Sequence, residues 1–233
     1  MALRKICIIQ ARLGSSRLPE KVIKIINGKP MIYWLILRLK KTKIFDLIVI
    51  AIPKYKNLKL LNYLKSIKKE MGIKIYRGSE NNVLERYYYA AKIFKADIIT
   101  RVTADDPFKD INVTKSSLLR FMELKLDYYS NSIKQTFPIG IDIEHFTFKA
   151  LKLAHKLAIT KHEKEHVTVI MKQRPDIFKI KNFKNRQNLT KYRLTVDDMD
   201  DFKKARKIFI FYKNKPYIDY KNIIKFLKNE EKN

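Results

Sequence analysis

The segment from Gln10 to Lys21 concentrates residues that can bind phosphate, in the order Gln-Ala-Arg-Leu-Gly-Ser-Ser-Arg-Leu-Pro-Glu-Lys. It supplies a glycine for close backbone approach, two hydroxyls, two guanidinium groups and an ammonium, which together suit the charged oxygens of a triphosphate. The spacing fits neither the Walker A motif nor the G-x-G-x-x-G motif of dinucleotide-binding proteins. A basic surface loop is the other interpretation, and this segment alone leaves both open.

Acidic residues at two later places could hold a divalent cation beside such a phosphate. Asp105 and Asp106 follow the predicted strand 98–102, and Asp197 follows the alternating run 192–196. Carboxylates at the carboxyl ends of strands suit Mg²⁺, which prefers hard oxygen ligands and keeps several waters. For the first pair, an Asp-Pro turn is the alternative interpretation.

One motif points to different chemistry. His162-Glu163-Lys164-Glu165-His166 matches H-E-x-x-H, in which two histidines one helical turn apart bind zinc. A catalytic zinc needs a third ligand, and the other two histidines, His145 and His155, lie upstream in a different pattern. We therefore expect a polar helix near an acceptor site and not a zinc centre.

Apolar and amphipathic segments alternate and predict the elements that must position these residues. The first part of the chain follows a β-α-β-α-β-α-β order, which is typical of a parallel sheet covered by helices. Ligands of such sheets bind beyond the carboxyl ends of the strands, where the basic segment and Asp105 would both lie. Strands are predicted at 5–10, 47–52, 74–77, 98–102, 128–130, 142–146 and 192–196, and helices at 30–41, 58–71, 83–94, 113–125, 148–159, 161–172, 201–211 and 222–227.

The composition bounds the class of protein. With 233 residues, 46% of them hydrophobic, the chain can form one α/β domain with a core. No apolar run approaches the ~20 residues that span a bilayer, and the single Cys7 forms no internal disulfide, so we expect a cytoplasmic protein without membrane insertion. The net charge of +28 comes mainly from lysines spread over nearly every segment. That spread favours a solvated surface over nucleic-acid binding, and a non-catalytic polyanion-binding protein stays as an alternative.

Taken in order, the motifs resemble those of the cytidylyltransferases that make nucleotide-activated sugar acids, including acylneuraminate and 3-deoxy-manno-octulosonate cytidylyltransferases. Within that family the sequence is most similar to the spore coat polysaccharide biosynthesis protein F branch. The resemblance is carried by the segments 9–19, 27–30, 76–80, 83–87, 101–105, 140–144, 165–167 and 194–197.

The resemblance implies a glycosyltransferase-A-like, Rossmann-like nucleotidyltransferase fold in a single domain, with a mostly parallel central sheet. It places a nucleotide-binding half at about 1–110 and an acceptor-side half at about 111–233. It also implies Mg²⁺-dependent transfer of CMP from CTP to a sugar acid or sugar phosphate, with release of pyrophosphate, by a homodimer that serves polysaccharide biosynthesis. Use of GTP, UTP or ATP on the same scaffold stays open, as does a catalytically silent paralogue.

Roles are implied residue by residue. Catalysis is assigned to Arg17, Lys21 and Asp105, and the metal to Asp105 and Asp197. Nucleotide binding is assigned to Ala11, Arg12, Leu13, Gly14, Ser15, Ser16, Arg17, Lys21, Arg77, Gly78, Ser79 and Asp105, and acceptor binding to Arg101, Asp142, Glu144, Glu165 and His166.

The sequence departs from the family pattern at two positions. Glu20 stands where many relatives carry glycine before the lysine, which puts the approach of Lys21 to the phosphates in doubt. Asp106 replaces other residue types beside the metal aspartate, so the choice between Asp105 and Asp106 as ligand is open.

Overall fold

A computed structural model describes residues 2–55, 57–213 and 215–231. These residues form strands and helices around one large sheet. The strands are β1 (Lys5–Gln10), β2 (Ile25–Ile26), β3 (Lys29–Pro30), β4 (Leu47–Pro53), β5 (Ile73–Gly78), β6 (Ile98–Thr103), β7 (Tyr128–Ser130), β8 (Glu144–Thr147) and β9 (Ile180–Asn182). The helices are α1 (Met31–Lys41), α2 (Leu58–Met71), α3 (Val83–Ile93), α4 (Ile111–Leu124), α5 (Phe148–Leu157), α6 (Lys161–Glu165), α7 (Val169–Gln173), α8 (Met199–Phe211) and α9 (Tyr220–Glu230), and a 3-10 turn covers Lys21–Ile23.

The central sheet has the strand order β5-β4-β1-β6-β8-β7-β9. Only β8 runs against its neighbours among these seven described strands, so the predicted α/β fold with a mostly parallel sheet is confirmed. The chain leaves β1 through α1 toward β4 on one side, and returns through α3 to β6 on the other side. A reversal of this kind opens a crevice beyond the carboxyl ends of β1 and β6.

Both faces of the sheet are covered, which explains the near-continuous apolar runs of its parallel strands. On β1, Cys7 and Ile9 belong to the core formed with α1, α2, α8 and α9. Ile6 and Ile8 belong to the core formed with α3, α5 and α7 on the opposite face. The ends of β1 and β6 are therefore held rigidly from both sides.

Most predicted elements match the observed ones to within a few residues. The predictions missed β2, β3 and β9, which are too short for a periodicity to show. Among the described residues, no helix combines the length and apolar character needed to cross a membrane. The division into halves near residue 110 stays a prediction, and strands from both sides of it contribute to one sheet.

Two predicted elements are wrong in form. The helix expected over 161–172 is broken into α6 and α7, and the break lets the Thr168 hydroxyl donate to buried Glu144 at 2.7 Å. The strand expected over 192–196 is an extended segment outside the sheet, with one isolated bridge to Ile139. It reaches the loop after β6, where the Val196 amide donates to the Asp105 carbonyl at 2.9 Å.

Candidate active site

A cleft of about 370 Å³ lies at the switch point between β1 and β6. The loop after β1, the end of β6 with its following loop, α3, α6 and the segment before α8 all contribute to it. Twelve of the sequence-predicted residues line it, namely Ala11, Arg12, Gly14, Ser15, Ser16, Arg17, Lys21, Arg101, Asp105, Glu165, His166 and Asp197.

Lys21 joins the two carboxylates that were predicted to bind metal. Its ammonium donates to Oδ2 of Asp105 at 3.0 Å and to Oδ1 of Asp197 at 2.8 Å. A third bond, of 2.8 Å, goes to the main-chain oxygen of Val196, so every donor of the ammonium is used. Three parts of the chain that are far apart in sequence therefore meet at one charged point.

Asp197 is also fixed by two arginines. Arg17 reaches its Oδ2 at 3.2 Å, and Arg193 forms an ion pair with the same oxygen. Arg193 binds Asp201 as well, through Nε at 3.0 Å, and Asp201 accepts the Asp197 amide at 3.1 Å. Partial burial alone would raise the pKa of Asp197, but the hydrogen bond and charge of Lys21, with the nearby arginines, lower it. Asp197 is thus an ionised carboxylate held in one orientation.

The two neighbouring aspartates after β6 face different surroundings. Asp106 is turned into the protein, where it accepts bonds from Lys109 at 3.0 Å and from the Thr103 hydroxyl at 2.9 Å. Burial raises the pKa of Asp106 to about 6. Lys109 also donates to the main-chain oxygen of Asp142, so this buried pair ties two loops together. Asp105 alone of the two lines the cleft.

Sequence reasoning missed Arg86, which lines the cleft from α3. Its side chain is buried, its Nη1 donates to the Ser79 carbonyl, and its Nε has no hydrogen-bond partner among the described residues. Burial lowers the pKa of Arg86, and the charge of Arg12 adds to that effect. A Cβ on Gly78 would lie 2.7 Å from Cε1 of Tyr76 and 3.0 Å from Cγ of Arg86, so the glycine makes room for both side chains. The sequence signal for Arg86 is an arginine on the same helix face as the apolar Val83 and Ala90, a pattern that does not show what this face borders.

Glu144 lies beneath the cleft and does not line it. It forms ion pairs with Arg101 and with Lys172, the second at 2.9 Å, and it accepts a hydrogen bond from the Tyr128 hydroxyl at 2.6 Å. Burial alone would raise the pKa of Glu144, but these cations and hydroxyls hold it well below its usual range. Glu144 thereby fixes Arg101, which does line the cleft.

The H-E-x-x-H motif belongs to no group of three or more His, Cys, Asp or Glu side chains that could hold a metal among the described residues. Glu163 caps α6, since its carboxylate accepts the Thr160 amide at 2.8 Å while its own amide donates to the Thr160 hydroxyl at 3.2 Å. His166 ends the helix and lines the cleft together with Glu165. The glutamate of the motif is therefore engaged in helix capping.

Six predicted residues lie outside the cleft lining. Arg77 is exposed and donates to the Lys54 carbonyl, and the Asp142 carboxylate accepts from Gln135 at 3.1 Å. Their assigned roles stay predictions. The six residues are Leu13, Arg77, Gly78, Ser79, Asp142 and Glu144.

Glu20 has a left-handed backbone, with φ of 57°. Glycine adopts this conformation without steric cost, which accounts for the glycine expected at this position. The Glu20 side chain points to Lys59, with which it forms an exposed ion pair of 2.8 Å. The departure from the family pattern therefore leaves the Lys21 contacts in place.

The residues present fit a Mg²⁺ site of the type in which bound phosphates supply some of the ligands. Asp105 and Asp197 converge on one point, and Mg²⁺ is commonly held by one or two carboxylates with substrate phosphates and water. Within the described residues, no group of three or more His, Cys, Asp or Glu side chains could hold a metal by protein ligands alone. A metal here would complete its coordination with water or with oxygens of a ligand.

Comparison with known proteins identifies the family. The cytidylyltransferase family model matches residues 6–232. The chain belongs to the cytidylyltransferase family. The predicted resemblance and the predicted enzyme class, a nucleotidyltransferase, are thereby confirmed.

Individual relatives agree with this assignment. An uncharacterized protein of Methanocaldococcus jannaschii is 35% identical over 84% of this chain and 79% of its own. The spore coat polysaccharide biosynthesis protein SpsF of Bacillus subtilis is 26% identical over 94% of this chain and 92% of its own. A solved cytidylyltransferase from Leptospira borgpetersenii superposes with a TM-score of 0.92 at 27% identity, covering 99% of this chain and 96% of that one.

Proposed function

We propose that this cytidylyltransferase transfers CMP from CTP to a sugar acid or sugar phosphate, with release of pyrophosphate, in surface polysaccharide synthesis. The observation that carries the proposal is the meeting of Lys21, Asp105 and Asp197 in a cleft lined by the basic loop after β1. Family membership supports the cytidine nucleotide, and the name of the Bacillus relative supports polysaccharide synthesis.

The residues of the β1 loop suit the phosphates. Arg12 and Arg17 supply fixed positive charge, and Ser15 and Ser16 supply hydroxyl donors in the same cleft. An oxygen of the acceptor forms a bond to the α-phosphorus as the bond from that phosphorus to the pyrophosphate oxygen breaks, and the proton of an acceptor hydroxyl passes to solvent. Arg17 stabilises the charge that develops on the departing pyrophosphate. Mg²⁺, held by Asp105 and Asp197, would neutralise phosphate oxygens during this displacement.

The acceptor side of the proposal is formed by Arg101, Glu165 and His166, which line the cleft. Arg101 offers a cation to the carboxylate or phosphate of an acidic sugar. Burial beside other cations lowers the pKa of His166, so its ring is largely neutral near pH 7 and can accept a hydrogen bond from a hydroxyl. Glu144 contributes through Arg101, which it holds in place.

The experiment combines the purified protein with Mg²⁺ and each of CTP, GTP, UTP and ATP. Nonulosonic acids, octulosonic acid and sugar phosphates serve as acceptors, and released pyrophosphate is measured. Turnover with CTP and one acidic sugar supports the proposal. Turnover with only another nucleotide would show that the enzyme uses a base other than cytosine. No turnover and no selective nucleotide binding, with retention on DNA that salt abolishes, would favour the polyanion-binding alternative.

The predicted homodimer is a separate part of the proposal. Light scattering on the purified protein tests it directly, because a dimer doubles the mass of the 27.8 kDa chain. A monomeric mass would contradict it.

A further inference from the structure

The ammonium of Lys21 binds the same two carboxylates that would hold the proposed metal. It lies 3.0 Å from Oδ2 of Asp105 and 2.8 Å from Oδ1 of Asp197, and its side chain is only 11% exposed. A divalent cation on these oxygens would face a positive charge a few ångströms away, in a place partly shielded from water. Like charges at that separation repel strongly where the dielectric constant is low. Lys21 and the metal therefore compete for the two carboxylates.

The described cations already offset the negative charge of Asp105 and Asp197. Lys21 shares its ammonium between Asp105 and Asp197, and Asp197 is also paired with Arg17 and Arg193. No surplus of negative charge remains to attract a cation. The chain without a nucleotide should consequently bind a divalent metal weakly, although its two carboxylates are in position.

Polyphosphate supplies what is needed to release Lys21. The lysine lines the cleft together with Arg12 and the two serines of the β1 loop. Phosphate oxygens in that cleft would offer its ammonium new acceptors in place of the carboxylates. Each oxygen of Asp105 and Asp197 that Lys21 leaves then becomes free for the metal.

We propose that Lys21 is a placeholder for the cation: it occupies Asp105 and Asp197 until the phosphates of the incoming nucleotide take over its ammonium, so that metal and nucleotide enter the site together. The idea rests on the proposed function for the identity of the phosphates. The new element is a coupling between the binding of the metal and the binding of the nucleotide. By linkage, each ligand then raises the affinity of the protein for the other.

Direct metal binding tests the placeholder. Mn²⁺ is titrated into the protein without nucleotide or acceptor, and free Mn²⁺ is measured by electron paramagnetic resonance. Lys21→Met should bind Mn²⁺ at least tenfold more tightly than the unaltered chain, and the gain should vanish in Lys21→Met combined with Asp105→Asn. The control is Lys59→Met, which removes an exposed cation paired with Glu20 and should change the affinity less than twofold. A folded Lys21→Met protein without tighter binding overturns the proposal.

A measurement on the unaltered chain tests the same proposal without depending on whether the variant folds. Acetylation of individual lysines is quantified by mass spectrometry with and without enough Mn²⁺ to fill the site. Displacement from the carboxylates should raise the reactivity of Lys21 several-fold, while Lys109, buried beside Asp106, should not change. Unchanged reactivity of Lys21 at a filled site would also overturn the proposal.

The two proposals fail in different ways. Turnover of CTP with no gain in Mn²⁺ affinity for Lys21→Met contradicts the role proposed for Lys21 and supports the proposed transferase activity. A clear gain in Mn²⁺ affinity for Lys21→Met with no turnover of any nucleotide supports the role proposed for Lys21 and contradicts the proposed transferase activity.

Discussion

Gly140 lies directly against the backbone of Thr195, and a Cβ on Gly140 would come within 2.6 Å of the Thr195 nitrogen. The Leu194 amide donates to the Ile139 carbonyl at 2.7 Å beside this contact. The extended segment that ends at Asp197 therefore packs directly against Gly140. The position of Asp197, a candidate metal ligand, depends on that close approach.

The first prediction concerns this contact. Gly140→Ala should lower the free energy of unfolding by about 3 kcal/mol, because the methyl group collides with backbone and φ is +98°. It should also weaken Mn²⁺ binding in the presence of CTP, since Asp197 moves with the segment. Gly28→Ala is the matched control: φ is +78° but nothing lies within 4 Å, so it should cost only about 1 kcal/mol. Urea denaturation gives both values, and equal losses would contradict the role of the contact.

The second prediction separates the two adjacent aspartates. Asp105→Asn should reduce turnover at least ~100-fold with little change in stability, because it removes a carboxylate that faces the cleft. Asp106→Asn should instead keep turnover within about tenfold of the unaltered chain, because the Asp106 carboxylate faces buried Lys109 and does not line the cleft. Turnover and urea denaturation of both variants check the assignment. Full activity of Asp105→Asn at ordinary Mg²⁺ would exclude it as the metal ligand.

Sequence patterns predicted the sheet and most of the cleft because both depend on local signals. The apolar run Lys5–Gln10 and the polar segment after it identify a strand and its ligand loop without knowledge of the rest of the chain. Asp105 and Asp106 have the same side chain and differ only in direction, which the buried partner Lys109 decides. That partner could not be assigned from the sequence.

Other features depend on tertiary contacts that no periodicity reports. The alternating run 192–196 predicted a strand, but its hydrogen bonds go to the loops at Ile139 and Asp105. Arg86 was missed because a helical pattern places it on a face without revealing that the face borders a cleft.

The third prediction follows from His145, which is fully buried between Thr100 and Ser117. Their hydroxyls lie 2.9 and 2.8 Å from its two ring nitrogens. Burial lowers the pKa of His145 to about 3 from an ordinary value of 6.5. Between these pH values the unfolded chain binds a proton that the folded chain does not, so stability should fall as pH decreases from 6.5 toward 3.

His145→Asn should remove this part of the pH dependence. Asp106 has the opposite effect, because its pKa of about 6 lies above the ordinary value of 3.8. Its contribution lowers the free energy of unfolding as pH rises from 3.8 to 6. The difference between the unaltered chain and the variant isolates the histidine. Urea denaturation at several pH values from 4 to 7 measures it, and parallel pH profiles would contradict the prediction.

The last prediction concerns three lysines that adopt left-handed backbone after helices. Lys43, Lys95 and Lys125 have φ values of 53°, 54° and 50°, at the ends of α1, α3 and α4. Glycine is preferred at such helix ends because it has no Cβ to oppose a positive φ. Each Lys→Gly change at these positions should raise the free energy of unfolding by about 0.5–1 kcal/mol. Because the three positions lie on different helices, the gains should add in the triple variant.

The matched control is Lys152→Gly, at an exposed position inside α5. There the backbone is helical, and glycine should cost about 1 kcal/mol. Opposite signs at the helix ends and at Lys152 would show that backbone conformation, and not loss of positive charge, sets the effect. If the four substitutions shifted stability in the same direction, relief of repulsion within a chain of net charge +28 would be the better explanation.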